Sequence, residues 1–248
     1  MFEIEKKFRF SKAWLLDTRS SPLEKLLGKA KFLSKKTFQD TYYDADNYFL
    51  TSLDIWFRQR EQNYECKVPT LMMKEYETHS KTASELIRLE RERLAGLKSL
   101  KKQQVVDQYK EMTAPQEIQA FLNYVMDCKL DHVSQFVEQG KLRPFSTLQT
   151  TRNSFMLDEF RIDLDQCSAT YPTLIEDVCD VGEIELMVAD EKDIEEASDK
   201  IVEFCKEYNL DTSAPIKSKL FSAIAITNPE HMKVLEDAGV LYKRMIVM

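Results

Sequence analysis

The residues of this chain that could do chemistry are charged, and they alternate with apolar ones. Residues 2–10 read FEIEKKFRF, so Glu3, Glu5, Lys7 and Arg9 share one face of an extended segment. Phe2, Ile4, Phe8 and Phe10 take the other face, broken only by Lys6. Arg58 and Arg60, then Glu65 and Lys67, repeat the pattern, as do Arg161, Asp163 and Asp165, and later Glu183 and Glu185. Arg152 lies in a further stretch of this kind. Guanidinium forks and ammoniums match phosphate oxygens. Clustered carboxylates without His or Cys suit a hard divalent cation such as Mg²⁺. Both together point to a polyphosphate bridged by metal; the competing reading is a purely structural network of ion pairs.

These residues need strands to hold them. At least five segments alternate in this way, at both ends of the chain. About eight strands could close into a barrel. If its charged faces point inward and its apolar faces pack under helices, the interior charges must satisfy one another and a ligand. The segment 37–44 (TFQDTYYD) is β-prone, and 53–60 and 64–68 read as a hairpin turning at 61–63. Residues 71–78 are read as a further strand. Strand character returns near Phe145, runs through 149–157, turns at Asp158–Glu159 and resumes at 160–164. Residues 167–180 contain Pro172 and read as a loop, before 182–188 (GEIELMV) repeats the opening alternation.

Helices fill the intervals. Residues 11–29 read as short helical pieces, with Pro22 near a start and Gly28 near a stop. Residues 84–102 form an amphipathic helix that Ser84 would cap, and 115–130 form a second. Residues 189–210 form an acidic helix turning Ile194, Ala197, Ile201, Phe204 and Cys205 inward. Residues 213–226, with Pro215 in the first turn, and 229–237 complete the set. His79, His132 and His231 are all read as surface residues.

The 248 residues are 43% hydrophobic, with only 5 Gly and 7 Pro, which suits a packed core and no fibrous repeat. No composition break marks a linker, and a single domain over 1–248 is expected. The net charge of −7 disfavours bulk binding to nucleic acid or anionic membrane, so an anion site must be a local cluster of Lys and Arg. Five scattered cysteines without CxxC, and three histidines without HExxH, argue against a thiolate or imidazole metal site. No Walker-type loop or GxGxxG is present. A soluble, cytoplasmic, monomeric protein with reduced cysteines is expected.

The order of motifs resembles the CYTH, or triphosphate tunnel metalloenzyme, superfamily. Glu3-Ile4-Glu5-Lys6-Lys7 has its ExExK form. It is followed by Asp40-Thr41-Tyr42-Tyr43-Asp44, Trp56-Phe57-Arg58-Gln59-Arg60-Glu61 and Glu65-Cys66-Lys67-Val68-Pro69. Later come Arg152, Arg161-Ile162-Asp163-Leu164-Asp165, Gly182-Glu183-Ile184-Glu185 and Ala214-Pro215-Ile216-Lys217. In detail these look like the thiamine-triphosphatase branch, over roughly residues 1–226, with 227–248 as a terminal helix and tail. The resemblance implies an α+β fold, an eight-stranded antiparallel β-barrel tunnel with a charged interior and flanking helices.

It also implies a Mg²⁺- or Mn²⁺-dependent hydrolase of a small-molecule triphosphate. By position, Glu3, Glu5 and Glu185 would bind metal, assisted by Glu183 and by Asp163 or Asp165. Lys7, Arg58, Arg60, Lys67 and Arg152 would hold phosphates, joined by a late lysine, Lys219 or Lys217. Tyr42 with Lys67 would activate the attacking water, and Trp56 would stack on the organic end of the substrate. Thiamine triphosphate is the expected substrate. Inorganic triphosphatase, class IV-type cyclase and non-catalytic polyphosphate binding are the alternatives. The family's fifth-strand lysine has no counterpart in Glu75-Tyr76-Glu77-Thr78.

Overall fold

A computed structural model describes residues 2–11, 23–97, 109–212 and 218–241. Within them the strands are β1 (Phe2–Arg9), β2 (Lys31–Asp44), β3 (Trp56–Arg60), β4 (Asn63–Pro69), β5 (Tyr109–Met112), β6 (Arg143–Leu157), β7 (Phe160–Tyr171) and β8 (Ile175–Val188). The helices are α1 (Glu24–Leu27), α2 (Thr70–Glu77), α3 (Ala83–Leu97), α4 (Pro115–Val125), α5 (Gln135–Glu138), α6 (Ile194–Glu207), α7 (Lys219–Thr227) and α8 (Pro229–Ala238). The eight antiparallel strands follow the order β1-β8-β7-β6-β2-β3-β4-β5. The fold is α+β, as the alternation and the resemblance imply. None of the described helices is long and apolar enough to cross a membrane.

The chain divides into two compact units. The first comprises residues 1–38, 149–169 and 174–222. Its core is built from the apolar faces of β1, β7 and β8, with Ile4, Phe8, Ile162, Leu164, Ile184 and Leu186 buried. Helix α6 covers this face with Ile194, Ala197, Ile201, Phe204 and Cys205, the stripe expected from its spacing. Phe8 stands opposite Gly182. A Cβ there would lie 2.1 Å from the Phe8 ring, so the strand pair needs glycine at this point.

The second unit comprises residues 39–148, 170–173 and 223–248. Its core gathers Phe57, Cys66 and Val68 from β3 and β4 with Met72, Met73, Leu86, Phe121 and Leu122 from the helices. The β3–β4 hairpin turns through Glu61, which has a φ of 54°. Gly239 ends α8 with a φ of 93°, where a Cβ would meet the Leu94 carbonyl oxygen at 2.3 Å.

Four local expectations are corrected. Residues 71–78 lie in helix α2, because helical spacing puts Met72 and Met73 together into the core. The fifth strand is instead β5, which pairs with β4. Helix α3 is capped by Thr82 rather than Ser84. The Thr82 Oγ1 accepts from Glu85 N–H at 3.3 Å, and the Glu85 carboxylate accepts from Thr82 N–H at 2.8 Å, a reciprocal capping box. Residues 167–180 largely continue the β7–β8 hairpin, with a register irregularity between Cys167 and Ala169 that hides the alternation. His231 is fully buried, not on the surface, because α8 packs it between Tyr48 and Phe145.

Candidate active site

In the first unit, strand pleating places the charged residues of β1, β7 and β8 on the face away from the core. The register then sets them in rows. Glu5 faces Glu185, which faces Arg161; Lys7 faces Glu183, which faces Asp163. Like charges directly across a strand pair repel, yet here Glu5 meets Glu185 and Glu183 meets Asp163. The arrangement holds because cations are threaded between them.

Lys7 Nζ donates to Glu5 Oε1 at 2.5 Å and to Glu183 Oε1 at 2.7 Å. Arg152, from β6, donates to Asp163 at 2.5 Å, to both oxygens of Asp165 at 2.7 and 2.6 Å, and to Glu183 at 3.1 Å. Arg161 donates to Asp163 at 3.1 Å and lies 3.6 Å from Glu185. Lys219, at the start of α7, donates to Asp165. Of the two late lysines, Lys219 thus joins this cluster; Lys217 lies outside the described residues. Arg152 and Lys219 each sit 5.9 Å from the Phe38 ring centre, a support that the sequence pattern did not reveal.

Burial sets the electrostatics. Asp163 and Asp165 are fully buried, and Glu183 nearly so. Burial alone would hinder ionisation of Glu183, but Lys7, Lys219 and Arg152 outweigh it and hold its carboxyl well below the usual range. Burial likewise opposes the charge on Lys7, and Glu183 and Glu5 restore it, raising the pKa above the ordinary lysine value. Burial opposes the charge on Arg152 and Lys219 too, and Asp165 in particular holds both charged.

Glu5, Glu183 and Glu185 bring carboxylate oxygens within 4.8 Å of one another. An all-carboxylate donor set with a half-exposed member, Glu5, fits a hard divalent cation. Asp163 and Asp165 are engaged by Arg152, Arg161 and Lys219, as Glu5 and Glu183 are by Lys7. The side chain of Glu3 is outside the described parts of the structure; its backbone pairs with Met187.

The second unit carries its own charged face. Arg60 grips Asp40 with two hydrogen bonds of 2.7 and 2.9 Å. Arg58 donates to Glu65 at 2.6 Å, to Glu111 at 3.2 Å and to the Tyr42 hydroxyl at 3.4 Å. Lys67 lies 3.8 Å from Glu111. Glu111 is the residue of β5 that faces Lys67, and the strand also carries a lysine, Lys110. Tyr42 therefore meets Arg58 in this structure. Trp56 is 5% exposed, and its indole N–H donates to Asp54 at 2.8 Å. Tyr109 donates to the same carboxylate at 2.7 Å, so Trp56 is held in the protein's own packing.

A buried polar chain in this unit was missed by sequence reading because its members are far apart. Asp44 accepts from the backbone N–H of Ala45, Leu50 and Thr51 and from the Thr51 hydroxyl, at 2.6 to 3.0 Å. Thr51 Oγ1 is 2.8 Å from His231 Nε2. Burial lowers His231 to a pKa of about 4 and raises Asp44 to about 6.

The first unit thus presents a sheet face that interleaves buried carboxylates with arginine and lysine. The chain belongs to the CYTH domain family, which it matches over residues 1–216. Members of this family are metal-dependent enzymes that act on triphosphates. No curated protein matches the chain. Among solved structures, it is similar to a proposed adenylate cyclase from Vibrio parahaemolyticus, with 15% identity, a TM-score of 0.45, and 85% of this chain and 90% of that one covered. A proposed adenylyl cyclase from Hippeastrum, described as having a dominant triphosphatase activity, shares 14% identity at a TM-score of 0.45, over 87% and 92% of the two chains. A chain of the Schizosaccharomyces pombe Mediator head module shares 9% identity at a TM-score of 0.47, over 84% and 95%.

Proposed function

We propose that this protein is a Mg²⁺-dependent phosphohydrolase that converts thiamine triphosphate to thiamine diphosphate and phosphate. The observation that carries the hydrolase reading is the convergence of Glu5, Glu183 and Glu185 beside Lys7 and Arg152. Those glutamates would hold Mg²⁺ or Mn²⁺, which would neutralise negative charge on the triphosphate oxygens. The thiamine assignment rests on the Asp40–Asp44, Trp56–Glu61 and Glu65–Pro69 motifs, which look like the thiamine-triphosphatase branch.

Every cation of the first cluster already has a carboxylate partner. Phosphate oxygens would therefore replace carboxylates on Lys7, Arg152 and Lys219, and the released carboxylates would be free for the metal. Anion and cation uptake are coupled by this exchange, since either alone leaves buried charge unpaired. Lys7, Arg152 and Lys219 would then stabilise charge developing as water attacks the terminal phosphorus and the bond to the bridging oxygen breaks. Arg58 and Arg60 are assigned to phosphate binding, and Tyr42 with Lys67 keeps the water-activating role implied by the resemblance. The enzyme would act as a cytoplasmic monomer.

The test is phosphate release from thiamine triphosphate, inorganic triphosphate and ATP, side by side, with Mg²⁺ and with EDTA. Mg²⁺-dependent release chiefly from thiamine triphosphate is expected. Release chiefly from inorganic triphosphate would remove the thiamine assignment and keep the chemistry. Tight binding without release from any of them would replace the hydrolase with a binding protein.

A further inference from the structure

Cys167 and Cys179, two of the five scattered cysteines, lie on the two strands of the β7–β8 hairpin. The β7–β8 register sets them directly opposite each other. Alternation along β7 puts Cys167 on the face that carries Arg161, Asp163 and Asp165. Alternation along β8 puts Cys179 on the face of Glu183 and Glu185. The pair thus occupies the row beyond Asp165 and Val181 on the charged face.

The surroundings suit bond formation. Directly opposed residues on antiparallel strands hold their Cβ atoms about 4.5–5.5 Å apart, against about 3.5–4.5 Å in a disulfide. A small approach closes that gap. The ladder is already irregular just beyond the pair, where Ala169 faces Ile175 and Asp177 takes a φ of 53°. Cys167 is buried and accepts a hydrogen bond from the Thr150 hydroxyl at 3.8 Å, while Cys179 is partly exposed. Cys66, by contrast, faces Met112 across its strand pair.

We infer that Cys167 and Cys179 form a reversible dithiol–disulfide couple whose state controls the charged face beside them. The oxidant is a low-molecular-weight disulfide, RSSR. The Cys179 sulfur, the accessible one, attacks RSSR; the S–S bond breaks, a Cys179–SR mixed disulfide forms and one RSH leaves with the Cys179 proton. The Cys167 sulfur then attacks the Cys179 sulfur. The mixed disulfide breaks, the Cys167–Cys179 bond forms and a second RSH leaves with the Cys167 proton. Two electrons pass from the protein to RSSR, giving two RSH. The new bond pulls β7 and β8 together next to Asp165, which Arg152 and Lys219 both hold. The control of activity rests on the hydrolase reading; formation of the bond does not.

The full-length protein is incubated with oxidised glutathione, its remaining thiols are blocked, and its peptides are mapped by mass spectrometry without reduction. A peptide pair linked through Cys167 and Cys179, with loss of both thiols and recovery of both in dithiothreitol, is expected. Free thiols at both positions, or a lasting glutathione adduct on Cys179, would overturn the couple. Triphosphate hydrolysis is measured on the same samples, alongside Cys179→Ser. A loss of turnover that dithiothreitol restores, absent from Cys179→Ser, supports control of the face. A linked peptide with unchanged turnover overturns that control. Absence of turnover in reduced and oxidised protein alike counts against the hydrolase, while the linked peptide still decides the couple.

Discussion

The two units carry charged faces of the same residue types arranged in opposite ways. In the first, carboxylates face carboxylates across the strands, and Lys7 and Arg152 each serve several of them. In the second, arginines face carboxylates or Tyr42, and Arg60 has a bidentate partner in Asp40. Among the described residues only the first face brings three acidic side chains together. Strand register therefore decides what a charged strand can do. On the first face, like charges opposed across the strands are held apart by Lys7 and Arg152, whereas on the second, opposite charges in register satisfy one another.

The contrast can be tested by substitution. The largest effect is expected at Asp165, which is fully buried and holds both Arg152 and Lys219. Asp165→Ala should cost about 3–5 kcal/mol in urea unfolding, because Lys219 loses the carboxylate it donates to and Arg152 loses one of its three. Asp40→Ala should cost less, since Arg60 is partly solvated. An equal cost at both positions would break the distinction between the faces.

The next effect is a pH dependence within the second unit. His231 has a pKa of about 4 in the fold against an ordinary 6.5. Above pH 6.5 it is neutral folded or unfolded and contributes no slope. Between 6.5 and 4 the unfolded chain takes up a proton that the fold refuses, so its contribution falls as pH drops, by about 3 kcal/mol at most. Asp44 runs the other way. Burial lifts it from 3.8 to about 6, so its contribution rises as pH falls through that window. Relative to the native protein, His231→Asn should gain stability from pH 6.5 to 4, and Asp44→Asn should lose it. Parallel curves for either variant and the native protein would remove that group from the balance.

Two smaller effects return to the first unit. Gly182→Ala should cost about 1–3 kcal/mol, because the added methyl must displace the Phe8 ring. Glu185→Gln should relieve the repulsion from Glu5 and change stability by only a few tenths of a kcal/mol. The same variant should bind Mn²⁺ more weakly by calorimetry. Undiminished Mn²⁺ binding would take Glu185 out of the metal set.

Where one strand carried its own alternation, the sequence was readable. Glu5, Lys7, Asp163, Glu183 and Glu185 were recognisable as one chemical face, and the apolar stripe of α6 was read residue by residue. Residues 71–78 failed because a short run with adjacent methionines has no decisive period. The Cys167–Cys179 pairing exists only through the register of the β7–β8 hairpin, and the Asp44–Thr51–His231 chain only through packing of a helix distant in sequence; neither is encoded by a local pattern. Trp56 shows the same limit. The resemblance implies a stacking role for it, and only the structure shows its bond to Asp54, which Tyr109 shares.

Strand β1 begins at Phe2, and its hydrogen-bonded neighbour β8 ends at Val188. During synthesis the first strand must wait until most of the chain has left the ribosome before it can pair. Throughout that interval it offers an unpaired edge, and closing so long a loop is slow. Lys6, Lys7 and Arg9 lie in this waiting strand. Their charge discourages pairing with other nascent chains, so the strand is guarded against wrong partners while it is being made.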